Sequence, residues 1–191
     1  MTRFGPLLLA DDRVSASELR AAALDGEVVV LGEGFLPIDA PFTALARAAS
    51  LAPLMLDTRV ILADRSAAWV WGWGPMPAVV MTCVAITARI PSPDRRRLRA
   101  REVVIDDDET RMLGPVPVTT PLRTLLDLAR HDRDDDVIAL LAEGITAQRI
   151  SRAQIDATLT RRASLSYVRP ARARLLSALQ QAESGQPLLT R

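Results

Sequence analysis

Between Arg65 and Arg89 the chain runs for 23 residues, 66–88, without a charged side chain. On length alone such a stretch would cross a bilayer. Its middle forbids a continuous helix. Gly72, Gly74, Pro75 and Pro77 fall within six positions, so the first half cannot run helically into the second without losing backbone hydrogen bonds that lipid cannot replace. The segment therefore reads as a short buried helix around residues 66–71, a Pro/Gly turn, and a strand from residue 78 rich in Val, Thr and Ile. A chain that must bury this segment in itself needs an interior of its own, and 191 residues with 49% hydrophobic content supply one.

The side-chain inventory removes whole classes of chemistry. All 24 basic residues are arginine and lysine is absent, which excludes a P-loop and any Schiff-base or general-base lysine. One cysteine, Cys83, and one histidine, His131, exclude a disulfide framework and a Cys/His zinc site. His131 lies in a charged break with no nucleophile at a recognisable spacing, and reads as a solvated imidazole. The acidic runs Asp106 to Glu109 and Asp132, Asp134 to Asp136 lack the spaced ligands and glycine of a calcium loop, and neighbouring carboxylates on a strand point to opposite faces. Cys83 falls in a predicted buried strand, where it acts as a small hydrophobe. The chain is expected to be non-enzymatic, without cofactor or metal. Its amino-terminal apolar run, three leucines before two aspartates, is too short for a signal-peptide core, which gives a cytoplasmic expectation with no membrane partner.

Local signals order the rest. Ser15 with Glu18 three residues on forms a capping box for a helix over 15–24, ended by Asp25-Gly26. Residues 27–31 and 35–38 read as a hairpin around Gly32-Glu33-Gly34. A helix over 43–51, apolar residues 60–62, and strands over 78–89 and 98–105 follow. Residues 116–118 make a last short strand. Thr120 and Pro121 then start a helix in which Leu122, Leu125, Leu126 and Ala129 form the buried stripe. Arg123 and Asp127 pair on its exposed face. Helices over 137–144, 151–162 and 170–183 complete the chain. The fold class is α+β: a winged-helix-like segment (1–42, partial), a core with a central mixed or antiparallel sheet and flanking helices (43–135), and a helical, Arg-rich tail (136–191).

A net charge of +1 conceals strong partition. Residues 1–40 carry three arginines against seven acids, and residues 102–136 four against ten. Residues 89–101 carry six arginines against Asp94, and residues 137–191 eight against three. Clustered arginines neutralise phosphates and release counterions. Arg95, Arg96, Arg97, Arg99 and Arg101, with Arg161 and Arg162 of the tail, are the candidate DNA contacts, beside Arg20 of the first helix. The plainer reading of the central cluster is that Arg99 and Arg101 alternate outward on a strand and face Asp106 to Glu109 across a turn. The aromatics give no base-stacking pattern. Trp69, Trp71 and Trp73 belong to the apolar stretch, and Trp71 and Trp73 are candidates for contact with a protein partner.

Four stretches in order carry a family resemblance: Leu19 to Pro37 with Gly26-Glu27-Val28 and Gly34-Phe35-Leu36-Pro37; Arg65-Ser66-Ala67-Ala68-Trp69 to Gly72; Arg101-Glu102-Val103 to Glu109; and Pro117-Val118-Thr119-Thr120-Pro121-Leu122-Arg123-Thr124 with Asp127-Leu128-Ala129. Together they resemble the actinobacterial branch of the AbiEi-type antitoxin and transcriptional-regulator family over residues 15–130. The resemblance implies a winged-helix DNA-binding part, an antitoxin core, repression of its own operon and opposition to a nucleotidyltransferase toxin. Two departures stand out. Fourteen residues before Ser15 leave little room for the usual preceding helices, and the wing is acidic where the family's is basic. Carboxylates repel phosphate, and only Arg20 carries over from the presumed recognition helix. The alternative is a protein-interaction module with a vestigial winged helix that does not bind DNA.

Overall fold

Ser15 stops the chain from continuing extended by offering its Oγ to the Glu18 amide, while the Glu18 carboxylate accepts from the Ser15 N–H at 2.7 Å. This capping box starts α1, Ala16–Leu24. The computed structural model describes residues 6–11, 13–55, 57–88 and 98–185. Asp25 closes the helix, Gly26 takes a left-handed φ of +77°, and the chain enters the hairpin β1 (Val28–Leu31) and β2 (Gly34–Pro37), paired antiparallel from Val28 and Pro37 to Leu31 and Gly34. Leu19 of α1 packs on Val28 and Phe35 of the hairpin. Leu8 bridges to Phe35 on the free edge of β2, with both backbone bonds made at 2.8 and 2.9 Å.

Thr43 caps α2, Ala44–Ser50. Then come β3 (Ile61–Leu62), α3 (Asp64–Trp71), β4 (Val80–Ala85), β5 (Leu98–Val103), a single 3-10 turn at Asp107–Glu109, β6 (Thr110–Leu113) and β7 (Val116–Thr119). The strands form one mixed sheet in the order β5-β4-β3-β7-β6. β4 runs parallel to β5 and β3 parallel to β7, whereas β3 with β4 and β6 with β7 are antiparallel. α4 (Pro121–His131), α5 (Val137–Gln148), α6 (Arg152–Arg161) and α7 (Val168–Ser184) follow. The protein is thus α+β, with a mixed sheet and a helical carboxy-terminal part.

The uncharged stretch splits where its glycines require. Gly72 caps α3 at φ +91°, a conformation that costs other residues steric strain. Trp73 then turns into the helical core. No helix among the described residues is long and apolar enough to cross a membrane.

Two large apolar clusters share the interior. One joins Leu31 and Leu36 of the hairpin to α2, α3 and the sheet face formed by Leu62, Val80, Leu98, Val116 and Val118. The other joins Trp73 and α4 to α5, α6 and α7. Ile61, Cys83 and Val103 make a small third cluster; the register pairs Ile61 with Cys83 and Cys83 with Arg101.

Four local expectations change. The helix expected over 137–144 continues through Gly144 to Gln148 as α5, and Thr110–Leu113, which alternates too weakly to register as a strand in the sequence, pairs with β7 as β6. The acidic run is a 3-10 turn in which Asp106 and Glu109 cap each other, so its carboxylates do not alternate as on a strand. Thr120 occupies the N-cap of α4 without a side-chain capping bond; its hydrogen bond comes through the carbonyl, which accepts from Thr124.

Candidate functional site

α4 is buried on two sides. Leu125, Leu126, Leu128 and Ala129 enter the helical cluster, and Arg123, Asp127 and Arg130, at helical spacing, are also buried. The expectation that Arg123 and Asp127 pair on an exposed face is therefore corrected: they do pair, but inside. Arg123 Nε donates to Asp127 Oδ2 at 2.8 Å, and its Nη1 donates to Glu109 Oε2 at 2.6 Å and to the Val104 carbonyl at 2.9 Å. A planar guanidinium serves three acceptors in fixed directions, a role lysine could not fill.

From this pair the network spreads in two directions. Arg101 Nη2 lies 3.0 Å from Asp127 Oδ2, and Arg101 clasps Asp64 with both sides of its fork at 3.0 and 2.9 Å. Asp64 is the first residue of α3 and holds a left-handed φ of +50°. Arg130 donates to Asp127 Oδ1 at 3.4 Å and to the Ser166 carbonyl at 2.9 Å. On the other side Arg162 donates to Glu109 at 2.9 Å and Asp106 at 2.6 Å. Arg161 Nη1 donates to Asp108 at 2.6 Å. The acidic turn is thus the meeting point of α4 and α6. A separate bridge links Arg65 of α3 to Asp132, at 2.6 Å, and to Asp136 in the α4–α5 connection.

Desolvation and pairing compete within this layer. Burial works against the charge of Arg123, but Asp127 and Glu109 outweigh it and raise its pKa. Burial likewise opposes the Glu109 charge, yet the Arg162 hydrogen bond and the field of Arg123 hold its carboxyl below the usual range. For Asp64 burial wins over Arg101, and its pKa is raised. His131, half-buried at the end of α4, is lowered to about 4, first by burial and then by Arg101 and Arg130. It meets Tyr167 edge-on with ring centroids 6.3 Å apart, so it is not the free solvated imidazole expected. Burial, reinforced by Asp127, pushes the Cys83 thiol up to about 12.

The predicted site residues do not form one surface. Arg20 is exposed on α1, and Arg99 is exposed on β5. Arg95, Arg96 and Arg97 lie outside the described residues. Arg101 is turned onto Asp64 and Asp127, away from the Asp106–Glu109 turn it was expected to face. Arg162 is 7% exposed, and both its charge and its hydrogen bonds go to Glu109 and Asp106. A phosphate would have to break these pairs to reach it. Arg161 is half-exposed but held by Asp108. Trp73 is 0% exposed, with its ring against Gly144, which corrects its assignment to a partner surface. Trp71 is half-buried and donates its indole N–H to the Thr119 carbonyl at 2.9 Å. Of the residues that organise the centre, Glu109 was legible only as a member of an acidic run and Asp127 only as half of a surface pair, while Asp64, an isolated acid between Ala63 and Arg65, carried no signal at all.

Two hollows flank the layer. One, of about 520 Å³, lies between the start of α4 and α6 and is lined by Asp108, Thr120, Gln154 and Arg161. The other, of about 560 Å³, places Arg65, Arg99, Arg101 and Arg133 beside Asp64, Asp132 and Asp134. Carboxylates share the walls with the guanidiniums in both. Among the described residues no His, Cys, Asp and Glu side chains group in threes to hold a metal ion.

Fold and layer together define an α+β protein whose helical and sheet parts are joined by buried arginine–carboxylate pairs. The chain is similar to the crystal structure of the RV2827C protein from Mycobacterium tuberculosis, with a TM-score of 0.50 and 15% identity, over 91% of this chain and 71% of that one. At that identity the likeness is one of fold. No protein-family model and no curated protein sequence matches the chain.

Proposed function

We propose that the protein is a non-enzymatic, DNA-binding regulator of the antitoxin kind that its sequence resembles, with a nucleotidyltransferase toxin as the partner that resemblance implies. The observation that carries the reading is the helix–hairpin unit: α1 packed through Leu19 on a hairpin that Leu8 extends by a third extended segment, with Arg20 exposed on the helix. A helix laid on a small sheet and presenting one face outward is the geometry by which winged helices enter a groove. The acidic charge of the unit remains, since hydrogen bonds from neutral amides hold a carboxylate in its ionised form. The Asp11 carboxylate accepts from the Arg13 and Val14 amides, and that of Glu18 from the Ser15 amide. The test is fluorescence anisotropy with duplex from the protein's own upstream region. Tight, salt-sensitive binding that exceeds binding to random duplex is expected; equal affinity for both, or none at low salt, defeats the reading.

A second reading, a protein-interaction module, draws on exposed apolar side chains of the same unit. Leu24 is 90%, Val30 65% and Ile38 61% exposed. Co-purification with a neighbouring gene product that survives nuclease treatment, without DNA binding, would select it.

A further inference from the structure

The seven arginines between residues 149 and 174 are divided by the structure. Three turn inward. Arg161 goes to Asp108 and Arg162 to Glu109. Arg174 donates to the Ala129 and Asp132 carbonyls at 3.0 and 2.8 Å. The other four, Arg149, Arg152, Arg169 and Arg172, are exposed. Between residues 149 and 174 the one acid is Asp156, and it shows how the four are grouped. Asp156 lies 3.8 Å from Arg152 on its own helix and 3.7 Å from Arg172 on α7, so α6 and α7 bring Arg152 and Arg172 to one place. Arg169 is one turn before Arg172, and Arg149 is three residues before Arg152. The distances are long for ion pairs, and side-chain exposures of 66% for Arg152 and 52% for Arg172 leave both guanidiniums in water. One carboxylate cannot neutralise four such groups.

We infer that the face formed by Arg152 on α6, Arg169 and Arg172 on α7, and Arg149 at the end of α5 where the chain turns into α6, binds the phosphate backbone of duplex DNA, independently of sequence. Guanidiniums suit phosphate oxygens geometrically, and a patch without aromatic side chains at these positions reads backbone and not bases. The face carries affinity and leaves any reading of sequence to the helix–hairpin unit. It rests on the reading above only in taking DNA as the partner.

The experiment measures anisotropy with a random-sequence 25-base-pair duplex between 50 and 200 mM salt. The Arg149→Ala/Arg152→Ala/Arg169→Ala/Arg172→Ala protein, checked for folding by circular dichroism, is compared with the wild type, with Arg111→Ala as a surface control, and with the same four positions changed to lysine. Wild-type binding should weaken steeply with salt. The alanine protein should lose at least about tenfold in affinity and about three to four from the salt slope, near one per lost phosphate contact. The lysine protein should recover most of the binding, which a purely structural role would not predict. Absent wild-type binding to random duplex at 50 mM, or an alanine protein with unchanged affinity and slope, overturns the proposal. The regulator reading fails separately: it falls if upstream duplex is not preferred, even where this face binds random duplex as expected. If upstream binding is lost in Arg20→Ala but untouched by the four alanines, the regulator reading stands and the face is wrong.

Discussion

Arg123 and Asp127 stand four residues apart on one helix and meet at 2.8 Å with side-chain exposures of 1% and 0%. At the surface such a pair would contribute a few tenths of a kcal/mol. Here each member is also held by another element: Arg123 by Glu109 of the acidic turn, Asp127 by Arg101 of β5. The pair is a junction between the sheet, the turn and the helical layer.

Removing one member strands the other's partners in a low-dielectric interior. Arg123→Met should cost about 3–5 kcal/mol, read as a shifted urea midpoint, against less than about 1 kcal/mol for Arg152→Ala at the surface. The double variant Arg123→Met/Asp127→Leu should not recover the loss, because Glu109 still lacks Arg123 and Arg101 still lacks Asp127. Recovery to near wild-type stability would show that the pair is isolated.

Much of the fold was legible in sequence. The capping box at Ser15, the glycines that end α1 and α3, and the buried stripe of α4 are local codes, and those elements form where the codes place them, whereas α5 runs through Gly144 to Gln148 because the buried ring of Trp73 packs against that glycine. The ionic centre was not legible, for two reasons. A charged pair at helical spacing marks the solvated face only if the helix has one, and α4 does not, since the Asp64–Arg101 clasp and the acidic turn cover that side. Arg101 meets Asp64 across 37 residues and Arg162 meets Glu109 across 53, and nothing in local spacing encodes such meetings. The tail arginines were visible as a group, but which of them turn inward depends on where α6 lands.

His131 sets a pH dependence whose sign follows from its lowered pKa. The unfolded imidazole takes up its proton near pH 6.5 and the folded one near 4. Between those values the unfolded chain holds more proton, so the contribution is intact above about pH 6.5 and is lost as pH falls toward 4. His131→Gln should flatten the fall in urea midpoint across that window. A slope unchanged from wild type would mean that His131 titrates normally.

Cys83 is fully buried in β4, and burial pushes its thiol up to about 12. The nucleophile is the thiolate, so a disulfide reagent at pH 8 should leave the folded protein untouched and modify one thiol per chain in urea. Rapid modification without denaturant would contradict the packing of Cys83 beneath Asp127 and Arg101.

Gly144 tests the packing of the uncharged stretch against α5. Alanine favours a helix interior over glycine by about 1 kcal/mol, so propensity alone makes Gly144→Ala stabilising. A Cβ at that position would lie 2.7 Å from Trp73 Cε3 and 2.9 Å from Cδ2, too close for any ordinary contact. The ring has nowhere to retreat: it is 0% exposed and belongs to the cluster of Leu125, Leu141 and Leu175. Overpacking should therefore win, destabilising by about 1–3 kcal/mol. In Trp73→Leu the smaller side chain vacates the space, and Gly144→Ala on that background should recover its propensity gain. A thermal-melt double-mutant cycle measures this coupling. If Gly144→Ala raises the melting temperature in the wild type, Trp73 does not fill the space against Gly144.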